Sequence, residues 1–75
     1  MNKQELKIDQ IIESYQNGQN KQMVYQIENY GIHSFFPDYH RFLESHASDH
    51  NEFKHMLVIF GEIVATYHIL KDHGF

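Results

Sequence analysis

The chain has 75 residues with no cysteine and no tryptophan, and its formal net charge is −4 when histidine is neutral. This length supports one domain. The lack of cysteine excludes disulfides and thiolate zinc sites, so the small core must be stabilised by regular helix packing, by oligomerisation or by both. The six basic residues are scattered and form no phosphate-binding stripe, so direct nucleic-acid binding is not expected.

The first residues predict a helix over residues 3–16. Asn2 followed by Glu5 has the form of a capping box, and Gly18 suits the left-handed position just past a helix end. Apolar residues between these signals recur at helical spacing, at Ile8, Ile11, Ile12 and Tyr15. On the other side of this helix Glu5, Asp9 and Glu13 stand four residues apart. They form a ladder of like charges that is typical of a solvated face and is also a candidate dock for a basic partner.

Two shorter helices are predicted next, over residues 21–30 and 35–46. Asn20 can cap the first of them and Gly31 can end it. Ser34 can cap the second, with Pro37 in its first turn. The apolar stripe of the first is Met23, Val24, Ile27 and Tyr30, and that of the second is Phe35, Phe36, Tyr39, Phe42 and Leu43. Tyr25 points away from its stripe and is a candidate exposed anchor.

The last helix is predicted over residues 49–72, with Asp49 or Ser48 as its cap and Glu52 three residues after Asp49. Gly61 inside it suggests that another chain segment approaches closely there. One face is a core stripe of Phe53, Met56, Leu57, Phe60, Ile63, Val64 and Tyr67. A second face has no assigned cover and is the candidate interface, formed by His55, Val58, Ile59, Glu62, Ala65 and Ile69.

These patterns predict an all-α fold in which residues 1–75 form one compact bundle of four helices with short connections, the C-terminal helix being the longest and central. Glu62 interrupts the apolar run of the last helix, which argues against a membrane span. The first nine residues lack the apolar segment of a signal peptide, so we expect a cytoplasmic location.

The sequence contains no motif for catalysis. A glycine-rich phosphate loop, a nucleophile elbow and a cysteine nucleophile are all absent, and we expect neither enzyme activity nor a cofactor. His46, Asp49 and His50, with His55, have a spacing that can hold a metal ion, but capping signals run through the segment and favour linker and cap roles.

We therefore expect a small protein–protein interaction module that self-associates as a homodimer or docks on a protein through its last helix. Small, acidic, cysteine-free proteins rich in Asn and Gln are often phage or plasmid accessory products, some of which inhibit host proteins. One alternative is a histidine-based metal or pH sensor, since the chain has seven histidines. Another is an acidic decoy of a nucleic-acid-binding protein that uses Glu5, Asp9 and Glu13.

Overall fold

Four α-helices account for most of the residues that the structure describes. The computed structural model describes the backbone of residues 3–74 and the side chains of residues 7–74. The helices are α1 (Lys3–Gln16), α2 (Asn20–Tyr30), α3 (Ile32–His46) and α4 (His50–Asp72). The predicted all-α architecture, with short connections and the last helix the longest, is confirmed.

The end of α1 follows the sequence signal. Gly18 has a φ of 75°, the left-handed conformation that glycine adopts without strain, and the N–H of Gln19 donates to the carbonyl of Ser14 at 2.9 Å. This turn sends α2 back along α1, and these two helices form the most extensive pair in the bundle. The capping box predicted from Asn2 and the side chain of Glu5 lies outside the described residues.

The predicted capping residues of α2 and α3, Asn20 and Ser34, are wrong. Helix α2 begins at Asn20 itself, after a Gln19 cap that makes no side-chain hydrogen bond. Helix α3 begins at Ile32 because Gly31, at a φ of 97°, is both the C-cap of α2 and the N-cap of α3. Its N–H donates to the carbonyl of Ile27, and its own carbonyl accepts the N–H of Phe35, both at 2.9 Å. Pro37 therefore lies inside α3 and lacks the N–H that a helix directs to the carbonyl four residues earlier.

The start of α4 is held by a reciprocal cap. The side chain of Asp49 accepts the N–H of Glu52 at 2.8 Å, which confirms Asp49 as the cap. The Glu52 carboxylate reaches back and accepts the N–H of Ser48 at 3.2 Å and also the Ser48 hydroxyl. These bonds hold the pKa of Glu52 below its ordinary value. Because the helix starts at a fixed residue, the direction of every side chain along α4 is fixed with it.

One hydrophobic core lies between the four helices. Tyr39 and Phe60 stack with ring centroids 4.4 Å apart, and the Tyr39 hydroxyl donates to the carbonyl of Met56 at 3.1 Å, which joins α3 to α4. Phe36 was predicted to face inward, but it is 38% exposed and touches Phe60 only edge-on. The buried apolar residues are Ile8, Ile11, Ile12, Met23, Val24, Ile27, Phe35, Tyr39, Phe42, Leu43, Ile59, Ile63 and Tyr67.

Polar contacts also join the helices around this core. Ser14 on α1 is buried and donates its hydroxyl to the amide oxygen of Gln26 on α2 at 2.8 Å. Lys71 near the end of α4 forms an ion pair with Glu28 on α2, which lowers the pKa of the Glu28 carboxyl. Helix α4 thus packs against all three other helices along one side, while its opposite side is not surrounded.

Candidate docking surface on the last helix

Helix α4 directs one narrow row of residues into the core. The row alternates steps of three and four residues, as a helix packed along one partner surface requires. Ile63 is fully buried and Tyr67 is nearly so, while their neighbours in the row are partly buried against the same core. We call this row the core seam, and it consists of Phe53, Met56, Phe60, Ile63, Tyr67 and Leu70.

The opposite side of α4 is apolar and open to solvent. Val58 and Ile69 are 58% and 57% exposed, and Leu57 is 40% exposed. Three of the five large exposed apolar residues in the described chain therefore belong to this one helix. We call this side the outer face, and it consists of Lys54, Leu57, Val58, Gly61, Ala65, His68, Ile69 and Asp72.

Gly61 lies at the middle of the outer face. A Cβ atom added there would meet no atom within 4 Å, so the close approach predicted from this glycine does not occur among the described residues of one chain. Ala65, one turn later on the same side, is also exposed. Because Gly61 has no side chain and Ala65 only a methyl group, the backbone of another helix can approach closely between Val58 and Ile69.

Two assignments on α4 are corrected by the structure. Ile59 was predicted to lie on the uncovered face, yet it is 6% exposed and belongs to the core. Met56 and Ile63, three residues before and four residues after it, both pack against the core. Residues at this spacing lie on the same side of a helix, so Ile59 also faces inward. Leu57 was predicted to face the core and is instead 40% exposed, because six residues of helix turn it about 120° away from the buried Ile63.

Glu62 lies at the border between the two sides of the helix. It is exposed, and its carboxylate accepts the hydroxyl of Tyr15 on α1 at 2.6 Å. This hydrogen bond, with a smaller contribution from burial, raises the pKa of the Tyr15 hydroxyl. His55 is exposed near the start of the helix. The predicted interface residues Val58, Ala65 and Ile69 therefore share one open surface, with Glu62 and His55 along its rim.

The other candidate sites are less well formed. Asp9 and Glu13 of the acidic ladder are exposed on α1, and Asp9 lines a groove between α1, α3 and α4 together with His46 and Glu52. No group of three or more His, Asp or Glu side chains among the described residues is placed to hold a metal ion. The His46 ring lies 4.3 Å from that of Phe42, and Asp49 is occupied as the helix cap.

All seven histidines are exposed, so none of them lies inside the hydrophobic core. His40 pairs with Glu44 on the same helix at 3.1 Å. Tyr25 is 68% exposed on α2, as predicted, and lies beside Glu28 and Lys71 in a separate shallow depression.

Helix α4 is also long and apolar enough, by length and composition, to cross a membrane. Its best 18-residue window has a mean hydropathy of 1.3, and 17% of that window is buried. A core helix of a soluble protein can have the same length and hydropathy. The packing of Ile59, Ile63 and Tyr67 in the core favours a helix of a compact bundle, while the low buried share reflects the open outer face.

Comparison of the chain with protein-family models, with curated proteins and with solved structures gives no match.

Proposed function

We propose that this chain is a non-catalytic protein–protein interaction module that docks through the outer face of α4. The observation that carries the proposal is the exposure of Val58 and Ile69 to more than half of their surface on a helix whose other side is well packed. An exposed aliphatic patch with a polar rim is typical of a surface that a partner covers.

The shape of the outer face favours a helical partner. Apolar side chains flank the small residues Gly61 and Ala65, and polar residues, Lys54 and Asp72, lie at the two ends. A second helix laid along this row would bury the aliphatic side chains and leave the end charges accessible for pairing. The cysteine-free sequence fits a reducing compartment, and we place the module in the cytoplasm.

Affinity capture with three matched baits tests the proposal. The baits are the wild-type chain, the double variant Val58→Asp/Ile69→Asp, and Asn20→Asp, which adds negative charge at an exposed position on α2. Capture from cells that produce the chain, with differently tagged copies of the chain included as prey, should retain a partner on wild type and Asn20→Asp and lose it on the double variant. Circular dichroism should show the same helicity for all three baits.

The proposal is wrong if the three baits retain the same proteins. It is also wrong if the double variant loses its helicity, because that result would place Val58 and Ile69 inside the fold of one chain.

A further inference from the structure

We infer that the partner of the outer face is a second copy of this chain, with the two α4 helices antiparallel about a twofold axis at the level of Ile63. This inference rests on the proposed function and adds the identity and register of the partner. A twofold interface must be self-complementary, so that each residue meets a suitable residue at the same distance on the other side of the axis. The outer face meets this condition in its end charges, its most exposed aliphatic side chains and its small residues.

The charges at the ends of the face are complementary. Lys54 lies nine residues before Ile63 and Asp72 lies nine residues after it, on the same side of the helix. Within one chain they are about 27 Å apart along α4, and neither makes an ion pair among the described residues. In the antiparallel pair Lys54 of each copy lies opposite Asp72 of the other, which gives two ion pairs. A parallel pair would set Lys54 against Lys54.

The apolar residues are complementary in the same register. Val58 lies five residues before Ile63 and Ile69 lies six after it, so each Val58 packs beside Ile69 of the second copy. These are the two most exposed large aliphatic side chains of the described chain. Because the dimer is symmetric, this contact occurs twice, and both side chains are covered in each copy.

The small residues complete the fit at the axis. Gly61 and Ala65 lie two residues on either side of Ile63, so Gly61 of one copy faces Ala65 of the other and the two backbones can approach closely where the helices cross. The positions Lys54, Val58, Gly61, Ala65, His68 and Asp72 alternate steps of four and three residues, which is the spacing of a coiled-coil seam. A shallow crossing angle of about 20° keeps the end charges within reach.

A charge-exchange experiment tests the pairing and its direction. The variants Lys54→Glu and Asp72→Lys each convert both ion pairs of the homodimer into repulsive pairs, whereas a mixture of the two variants restores both pairs in the heterodimer. Sedimentation equilibrium should show a wild-type dimer with a dissociation constant in the micromolar range, as a small interface of one helix per copy implies. Each variant alone should dimerise about tenfold more weakly. The mixture and the double variant Lys54→Glu/Asp72→Lys should return to near the wild-type value.

The differences between these variants should shrink in about 1 M salt, where the screening length falls to about 3 Å. The inference is overturned if either single variant dimerises as well as wild type, or if mixing the variants does not restore association. Wild type that stays monomeric at all concentrations also overturns it. If wild type is monomeric but captures another protein that Val58→Asp/Ile69→Asp does not capture, the proposed function stands without the inference. If both baits capture the same proteins, the proposed function fails as well.

A membrane surface is the competing occupant of an exposed apolar helix face. Flotation with vesicles of neutral and of anionic lipid distinguishes it from a second copy. Vesicle binding by wild type that is abolished by Val58→Asp/Ile69→Asp, in a chain that remains monomeric, would assign the face to lipid and reject both the inference and the proposed function.

Discussion

The core seam and the outer face lie on opposite sides of one helix, and each contains an isoleucine. Ile63 on the core seam is fully buried, while Ile69 on the outer face is 57% exposed. Three partner helices of eleven to fifteen residues cover one side of a helix of 23 residues and leave the other side open. An apolar helix face therefore becomes part of the core only where other helices of the chain cover it. Where they do not, it remains exposed and can bind a partner.

The largest expected effect is a difference in the free energy of unfolding between alanine variants of Ile63 and Ile69. Ile63→Ala should lower the free energy of unfolding by about 2–5 kcal/mol, because it leaves a cavity in the core. Ile69→Ala makes the same chemical change on an exposed residue and should cost less than about 1 kcal/mol in dilute, monomeric protein. Urea denaturation followed by circular dichroism measures both variants. Equal losses for the two would contradict the assignment of the two sides of α4.

A smaller effect is expected at the cap that fixes the start of α4. Asp49→Ala removes the acceptor for the Glu52 N–H and should lower the free energy of unfolding by about 1 kcal/mol, with little change in dimer affinity. Asp49→Asn is the matched control, because asparagine caps helices nearly as well. If Asp49→Asn is as unstable as Asp49→Ala, the cap contributes through its charge and not through this hydrogen bond.

The smallest expected effect is a pH dependence from the same cap. The folded-state pKa of Glu52 is lowered by hydrogen bonds from Ser48, so folding gains from its ionisation above its ordinary pKa of about 4.5. That stabilisation is lost as the pH falls through the lower folded-state value. Thermal unfolding of wild type and Glu52→Gln between about pH 6 and pH 3 should show a smaller loss of stability in the variant. Identical pH profiles would contradict this role of Glu52.

Much of the fold follows from local patterns in the sequence. The bounds of α1, the glycine ends of α1 and α2, and the Asp49 cap of α4 were all predicted, because each depends on residues within one or two turns. Gly31 shows the limit of such signals. A glycine that ends one helix and begins the next leaves no room for the Ser34 cap, so α3 starts earlier than its capping residues indicate.

The candidate surface was predicted in outline but not in its composition. Spacing identifies two apolar sides on α4, but the position of the border between them depends on how far the other helices extend. Ile59 and Leu57 were therefore assigned to the wrong sides. The contact between Tyr15 and Glu62 joins residues 47 positions apart, and no local pattern predicts it.

The most direct test of the antiparallel pairing is disulfide formation between cysteines placed on the outer face. The sequence contains no cysteine, so each variant carries only the introduced thiol. Antiparallel pairing sets position 58 of one copy beside position 69 of the other and keeps the two copies of position 58 about 15 Å apart along the helices. Under mild oxidation, a mixture of Val58→Cys and Ile69→Cys chains should therefore form the mixed disulfide, while Val58→Cys alone should stay reduced. Rapid formation of the Val58→Cys homodisulfide, or no mixed disulfide at concentrations where the chain dimerises, would contradict the account.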